Sequence, residues 1–176
     1  MEPTTVQTAW TPREVRPGPE MEALAPFFYD CTWKGTVYAH MQGPGSPEME
    51  AVGAMTCRPI MEGLWLACDG YQDQFADGEK LLTWKLHLVI GWDVTACEYR
   101  AVLVDSNGTA ALLRGAIEGS RLVMTPAGAV QTAGEMGTIR VVWDATDPTA
   151  VRWMNEASVN GGPWMLIEDY VMVPPA

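Results

Sequence analysis

Leu82-Thr83-Trp84-Lys85-Leu86-His87-Leu88-Val89-Ile90-Gly91-Trp92 decides how this chain is read. Trp84, Leu86, Leu88, Ile90 and Trp92 recur at every second position, with Lys85 and His87 between them. A two-residue period sends alternate side chains to opposite faces of a β-strand, so the segment predicts a strand with one broad apolar face.

Shorter segments of the same kind lie on both sides. Towards the N-terminus, strands are predicted over Trp33–Met41, Met49–Ile60 and Leu64–Tyr71. Towards the C-terminus they are predicted over Glu98–Asp105, Ala110–Ile117, Arg121–Thr125, Thr138–Trp143, Val151–Ala157 and Trp164–Val173. Turn chemistry separates them: Gly43-Pro44-Gly45, Ser106-Asn107-Gly108, Glu118-Gly119 and Asn160-Gly161-Gly162. Pro126 to Gly137, rich in Gly and Ala, reads as a loop, and Pro174-Pro175 stops the last strand. Short strands at even intervals without long helices predict an all-β fold, an antiparallel up-and-down β-barrel of roughly nine or ten strands. Closure removes the edges that so long a meander otherwise exposes.

Residues 1–20 read as an N-terminal tail broken by Pro3, Pro12, Pro17 and Pro19. Residues 21–176 read as a single barrel domain. A short helical segment within Glu20–Phe28 precedes the first strand, with Met21, Leu24 and Phe28 on one face.

The net charge of −11 disfavours nucleic acid and anionic membranes as partners. No apolar run reaches the ~20 residues that cross a bilayer, and Met1-Glu2-Pro3-Thr4-Thr5 lacks the features of a secretory signal, so a cytoplasmic location is expected. Cys31, Cys57, Cys68 and Cys97 show no C-x-x-C spacing and no partner His at a zinc-finger offset. They are expected as reduced thiols, with no metal and no cofactor. Phosphate-binding loops, nucleophile elbows and H-E-x-x-H are absent.

Eight tryptophans and eleven methionines supply large apolar surface, mostly within the predicted strands. An indole serves equally as core filler or as the wall of a pocket. Trp65, Trp84, Trp153 and Trp164 are the stacking candidates for a ligand, with Tyr99, Arg140 or His87 orienting it. His87 alternates with the Trp84–Trp92 stripe. It points into the lumen if the stripe faces outward, and into solvent if the stripe faces inward. His40 beside Tyr38 has the same ambiguity. Asp69 shares a strand face with Trp65 and Tyr71, Glu168 interrupts an apolar final strand, and Asp105 sits at a strand end beside Ser106. Any of these carboxyls enclosed in an apolar lumen has a raised pKa and can move a proton; on a solvated face or in a turn it does neither.

Thr32-Trp33-x-Gly35, Gly63-Leu64-Trp65-Leu66, Gly91-Trp92-Asp93 followed by Tyr99, Val104-Asp105-Ser106-x-Gly108, Gly115-x-x-x-Gly119 and Gly162-Pro163-Trp164 stand in this order along the chain. Together they resemble a bacterial family known only as a domain of unknown function with a lipocalin-like (calycin) barrel. The resemblance implies a barrel and no established activity. Cys31 stands where the lipocalin-type glycine is expected, and Trp92 where the family more often has Tyr. Nitrobindin-like haem barrels open similarly and carry an axial His late in the chain. His40 and His87 are both early, so that resemblance does not carry haem.

Three functional readings follow. In the first, the barrel binds a small hydrophobic or aromatic molecule. In the second, it is a cofactor-free cyclase or isomerase acting on a hydrophobic biosynthetic intermediate, with His87 and Asp69 as the catalytic pair. In the third, a filled barrel presents outer tryptophans for self-association as a homodimer.

Overall fold

The computed structural model describes residues 15–39, 41, 45–127, 130–132 and 135–175. His40, Trp10 and most of the expected tail lie outside the described residues. The strands are β1 (Cys31–Val37), β2 (Met49–Ile60), β3 (Trp65–Ala76), β4 (Glu79–Asp93), β5 (Glu98–Asp105) and β6 (Ala110–Glu118). They continue as β7 (Arg121–Pro126), β8 (Val130–Thr132), β9 (Glu135–Asp144), β10 (Val151–Val159) and β11 (Met165–Val173). One short helix, α1 (Pro19–Glu22), and a single 3-10 turn over Met61–Gly63 complete the described elements.

Ten of the eleven strands close a ring: β1 pairs with both β2 and β11, and β10 with both β9 and β11. β7 pairs with β9 directly, which leaves β8 as a hairpin arm on β9 outside the ring. All ladders are antiparallel, so the fold is the expected all-β barrel. No described helix is long and apolar enough to cross a membrane.

The stripe on β4 faces the lumen: Leu86, Leu88 and Ile90 are buried, and Trp84 and Trp92 are half-buried against them. Strand closure requires close backbone contact at two glycines. A Cβ on Gly35 would strike the Asp169 carbonyl and the Tyr170 ring across the β1–β11 ladder. One on Gly53 would strike the Trp33 indole, which lies across β2. Thr32-Trp33-x-Gly35 therefore combines a filler with the space that its own strand needs.

The segment from α1 to Asp30 seals one end of the barrel. Leu24, Phe27 and Phe28 are buried, and the Phe28 ring meets Trp143 at 5.2 Å. Tyr99 donates its hydroxyl to the Glu20 carbonyl at 2.9 Å, and Tyr29 donates to the Met172 carbonyl at 3.3 Å. Pro26 limits the helix to one turn, yet Leu24 and Phe28 share the buried side as the spacing predicts.

Several boundaries differ from the sequence reading. β1 begins at Cys31 and ends at Val37, because pairing with β2 runs from Cys31–Met55 to Val37–Met49. β3 continues through the polar run Gln72-Asp73-Gln74 to Ala76. Part of the expected 126–137 loop is strand: β8 pairs with the start of β9, from Val130–Gly137 to Thr132–Glu135. Backbone pairing needs no apolar alternation, so a Gly- and Ala-rich stretch hides it.

The cysteines also differ from expectation. Cys57 and Cys68 are joined by a disulfide, their Cα atoms 4.1 Å apart, because the β2–β3 register sets them directly opposite. Cys31 is a buried free thiol, its pKa pushed up to about 12 by burial and then by the nearby Asp30 charge. Cys97 is free and exposed.

Candidate functional site

The end closed by the α1–Asp30 segment has a groove of about 620 Å³ beside it, lined by Glu20, Trp92, Tyr99 and the charged Glu98, Arg114 and Glu118, whereas the opposite end opens into a mainly apolar space. Above a layer formed by Trp33, Trp143, Trp153 and Tyr170, the lumen widens into a cavity of about 650 Å³. Trp84, Leu103, Leu113, Val141, Trp143 and Trp153 supply its apolar walls. Met41, the β5–β6 turn at Asn107 and Thr109, and Pro126-Ala127 form the rim. Alternation along β4, β5, β6, β9 and β10 puts these side chains inside.

The aromatic layer is locked by ring contacts. Trp143 and Trp153 stack at 6.2 Å and 12°, and Trp33 meets Trp153 edge-on at 5.7 Å. Tyr170 lies 5.0 Å from Trp153. Such pairs add about 0.5–1.5 kcal/mol each beyond area burial.

A chain of polar groups threads the layer. Trp33 Nε1 donates to Gln72 Oε1 at 2.9 Å, and Gln72 Nε2 donates to the Tyr170 hydroxyl at 3.1 Å. Tyr170 in turn donates to Glu168. Asn155 Nδ2 donates to Glu168 Oε2, and Trp153 Nε1 reaches Asn155 Oδ1 at 3.3 Å. Gln72 and Tyr170 are fully buried, and Glu168 is nearly so. Burial pushes the Glu168 pKa up, against the opposing pull of hydrogen bonds from Asn155 and Tyr170. The Tyr170 hydroxyl is raised as well, by burial first and then by the Glu168 charge.

Gln74, two residues beyond Gln72 on β3, also turns inward. Its Oε1 is buried with no hydrogen-bond partner among the described residues, and the side chain lines the cavity. An unmet buried acceptor costs about 1–3 kcal/mol. At the rim, Asp105 Oδ1 accepts from the Asn107 and Thr109 amides at 2.9 and 3.0 Å, and its Oδ2 accepts from Trp84 Nε1 at 3.1 Å. Partial burial raises the Asp105 pKa, but these hydrogen bonds, led by Thr109, outweigh it and hold the carboxyl below its ordinary value.

Of the residues that the sequence nominates, Trp84 and Trp153 line this cavity. Tyr99 points inward but sits at the sealed end, edge-on to Trp92 at 5.0 Å and bonded to Glu20. The remaining nominees lie on the outer surface. Trp65 covers Gly91, where a Cβ would meet its ring at 2.7 Å. Arg140 is ion-paired with Glu156, and its guanidinium lies 4.4 Å from the Trp164 ring centroid. His87 and Asp69 do meet, Nδ1 to Oδ1 at 2.7 Å, but on the outer face, because the β4 stripe points inward. Their side chains are 41% and 58% exposed, so the pair is a surface contact remote from the lumen. Gln74, Trp143 and Asn155 escape the sequence reading. Among the described residues no group of three or more His, Cys, Asp or Glu is arranged to hold a metal ion.

Comparison with known proteins agrees with the barrel. A family model described as "Protein of unknown function (DUF1579)" matches residues 17–170. Sixteen chains of solved structures match as well. The crystal structure of Rv2717c from M. tuberculosis is similar at 16% identity and a TM-score of 0.60, over 90% of this chain and 99% of that one. At that identity the likeness concerns the fold alone. No curated protein matches.

Proposed function

We propose that this chain, which belongs to the DUF1579 family of proteins of unknown function, holds a small hydrophobic or aromatic molecule in the open end of its barrel. One observation carries the reading: about 650 Å³ of space bounded by Trp84, Trp143 and Trp153 above the layer of buried aromatic rings. Small-molecule sites span about 300–1,000 Å³ and are walled mainly by apolar and aromatic groups with a few polar ones. A barrel selected for stability alone gains by filling such a void, since each lost contact costs dispersion energy. Titrating a panel of neutral hydrophobic fluorophores against intrinsic tryptophan emission tests the reading. Saturable one-to-one quenching by at least one of them is expected. No response from any of them would overturn it.

A second reading rests on Glu168. A carboxyl that burial keeps protonated over a wider pH range, within reach of the cavity, suits general acid chemistry on an apolar guest. Under this cyclase or isomerase reading, Glu168 takes the acid role in place of His87 and Asp69. A guest converted by the native protein and bound unchanged by Glu168→Gln supports it; a guest recovered intact from the native protein argues against it.

A further inference from the structure

We infer that the guest is an amine: an apolar, ring-bearing body with a basic nitrogen whose N–H donors are taken by Gln74 and Glu168. This rests on the reading that the cavity holds a guest, and it names which chemistry the cavity selects.

Two of the polar groups that line the cavity, Gln74 and Glu168, are buried and keep acceptor capacity. Gln74 is 1% exposed, lines the cavity, and has an Oε1 with no partner among the described residues. The oxygen is closed off as the side chain stands, so a guest donor meets it when Gln74 turns toward the cavity it lines. Glu168 uses one oxygen for Asn155 and accepts from Tyr170; each carboxyl oxygen has two lone pairs, so an acceptor position remains, and a guest amine can take up the proton that burial otherwise keeps on the acid.

The charges point the same way. The ionisable side chains among the described lining residues are Asp105 and Glu168, with no Lys, Arg or His. Asp105 is fixed at the rim by Thr109, Asn107 and Trp84, and it is held ionised. A guest carboxylate entering past that rim meets like charge and no cation to receive it. A guest ammonium meets opposite charge, and Trp84, Trp143 and Trp153 bring aromatic rings to the cavity wall. The whole-chain charge of −11 raises the local concentration of cations.

The test uses one ring system with three heads: naphthylmethylamine, naphthalenemethanol and naphthoic acid, each titrated calorimetrically into the full chain at neutral pH. The amine is expected to bind at least about tenfold more tightly than the acid, equivalent to about 1.4 kcal/mol. The gap is expected to narrow in Glu168→Gln and, independently, in Gln74→Leu, with folding of each variant checked by thermal melting. Acid or alcohol binding as tightly as the amine overturns the inference while leaving the cavity reading intact. An amine that does not bind overturns it whatever the neutral fluorophores do. Silence from the fluorophores and all three naphthyl compounds removes the cavity reading itself.

Discussion

Replacing Tyr170 with Phe removes one oxygen from the middle of the buried polar chain and leaves the ring in place. The hydroxyl receives Gln72 Nε2 at 3.1 Å and donates to Glu168. Gln72 is 0% exposed, so no solvent can replace the lost acceptor. One orphaned buried donor costs about 1–3 kcal/mol, and the lost donor to the Glu168 carboxyl adds to that. We therefore expect a loss of about 2–3 kcal/mol in urea unfolding. A chain of this size loses about 2–4 °C per kcal/mol, so Tm is expected to fall by about 4–12 °C. Gln72→Leu orphans the Trp33 indole N–H instead. Because the substitutions share a broken bond, the double variant should cost less than the sum by about 1 kcal/mol. A loss below about 0.5 kcal/mol for Tyr170→Phe, or strict additivity, would refute the idea that this network organises the aromatic layer.

Glu168→Gln is expected to change how stability varies with pH. The folded Glu168 pKa lies above its ordinary 4.5, so its contribution is fully present below 4.5 and is lost as pH rises through the raised value. The variant should therefore gain on the native chain as pH rises, in urea melts from pH 4 to 8; parallel curves contradict this. Reducing Cys57–Cys68, which are 11 residues apart, is expected to cost about 2–4 kcal/mol in thermal melts. Denatured, unreduced protein should titrate with two thiols, Cys31 and Cys97. Four thiols would show the pair open, as a reducing cytoplasm would keep it. His87→Ala should leave guest affinity unchanged and stability within about 0.5 kcal/mol, since its partner Asp69 is an exposed surface group; lost binding would return the outer pair to the functional list.

The fold was legible because β4 states its period in large side chains. Trp84 through Trp92 tolerate only one assignment of faces once the barrel closes, and that assignment also sends His87 outward. The cavity was legible only in part. Trp65 and Trp164 resemble Trp84 as letters, yet register and strand ends decide their face: Trp65 covers Gly91 outside, and Trp164 precedes β11 over Arg140. Gln72-Asp73-Gln74 reads as a solvated stretch, since what turns the two amides inward is not local. The partners of Gln72 are Trp33 and Tyr170, 39 and 98 residues away. The disulfide did leave a sequence signal. A turn centred between Glu62 and Gly63 brings Cys57 opposite Cys68 in any regular hairpin, and the observed register follows that symmetry.

The central claim is that the open end of the barrel is vacant, apolar and accessible. Ala111, half-buried on the cavity wall, offers the most direct test. Energy transfer from tryptophan to Nile red is measured for the native chain and for Ala111→Trp, which places an indole in the space. We predict saturable one-to-one binding by the native chain, and binding weakened at least about tenfold in a variant whose Tm and circular dichroism match it. Equal binding by both proteins would place the dye elsewhere and contradict the account.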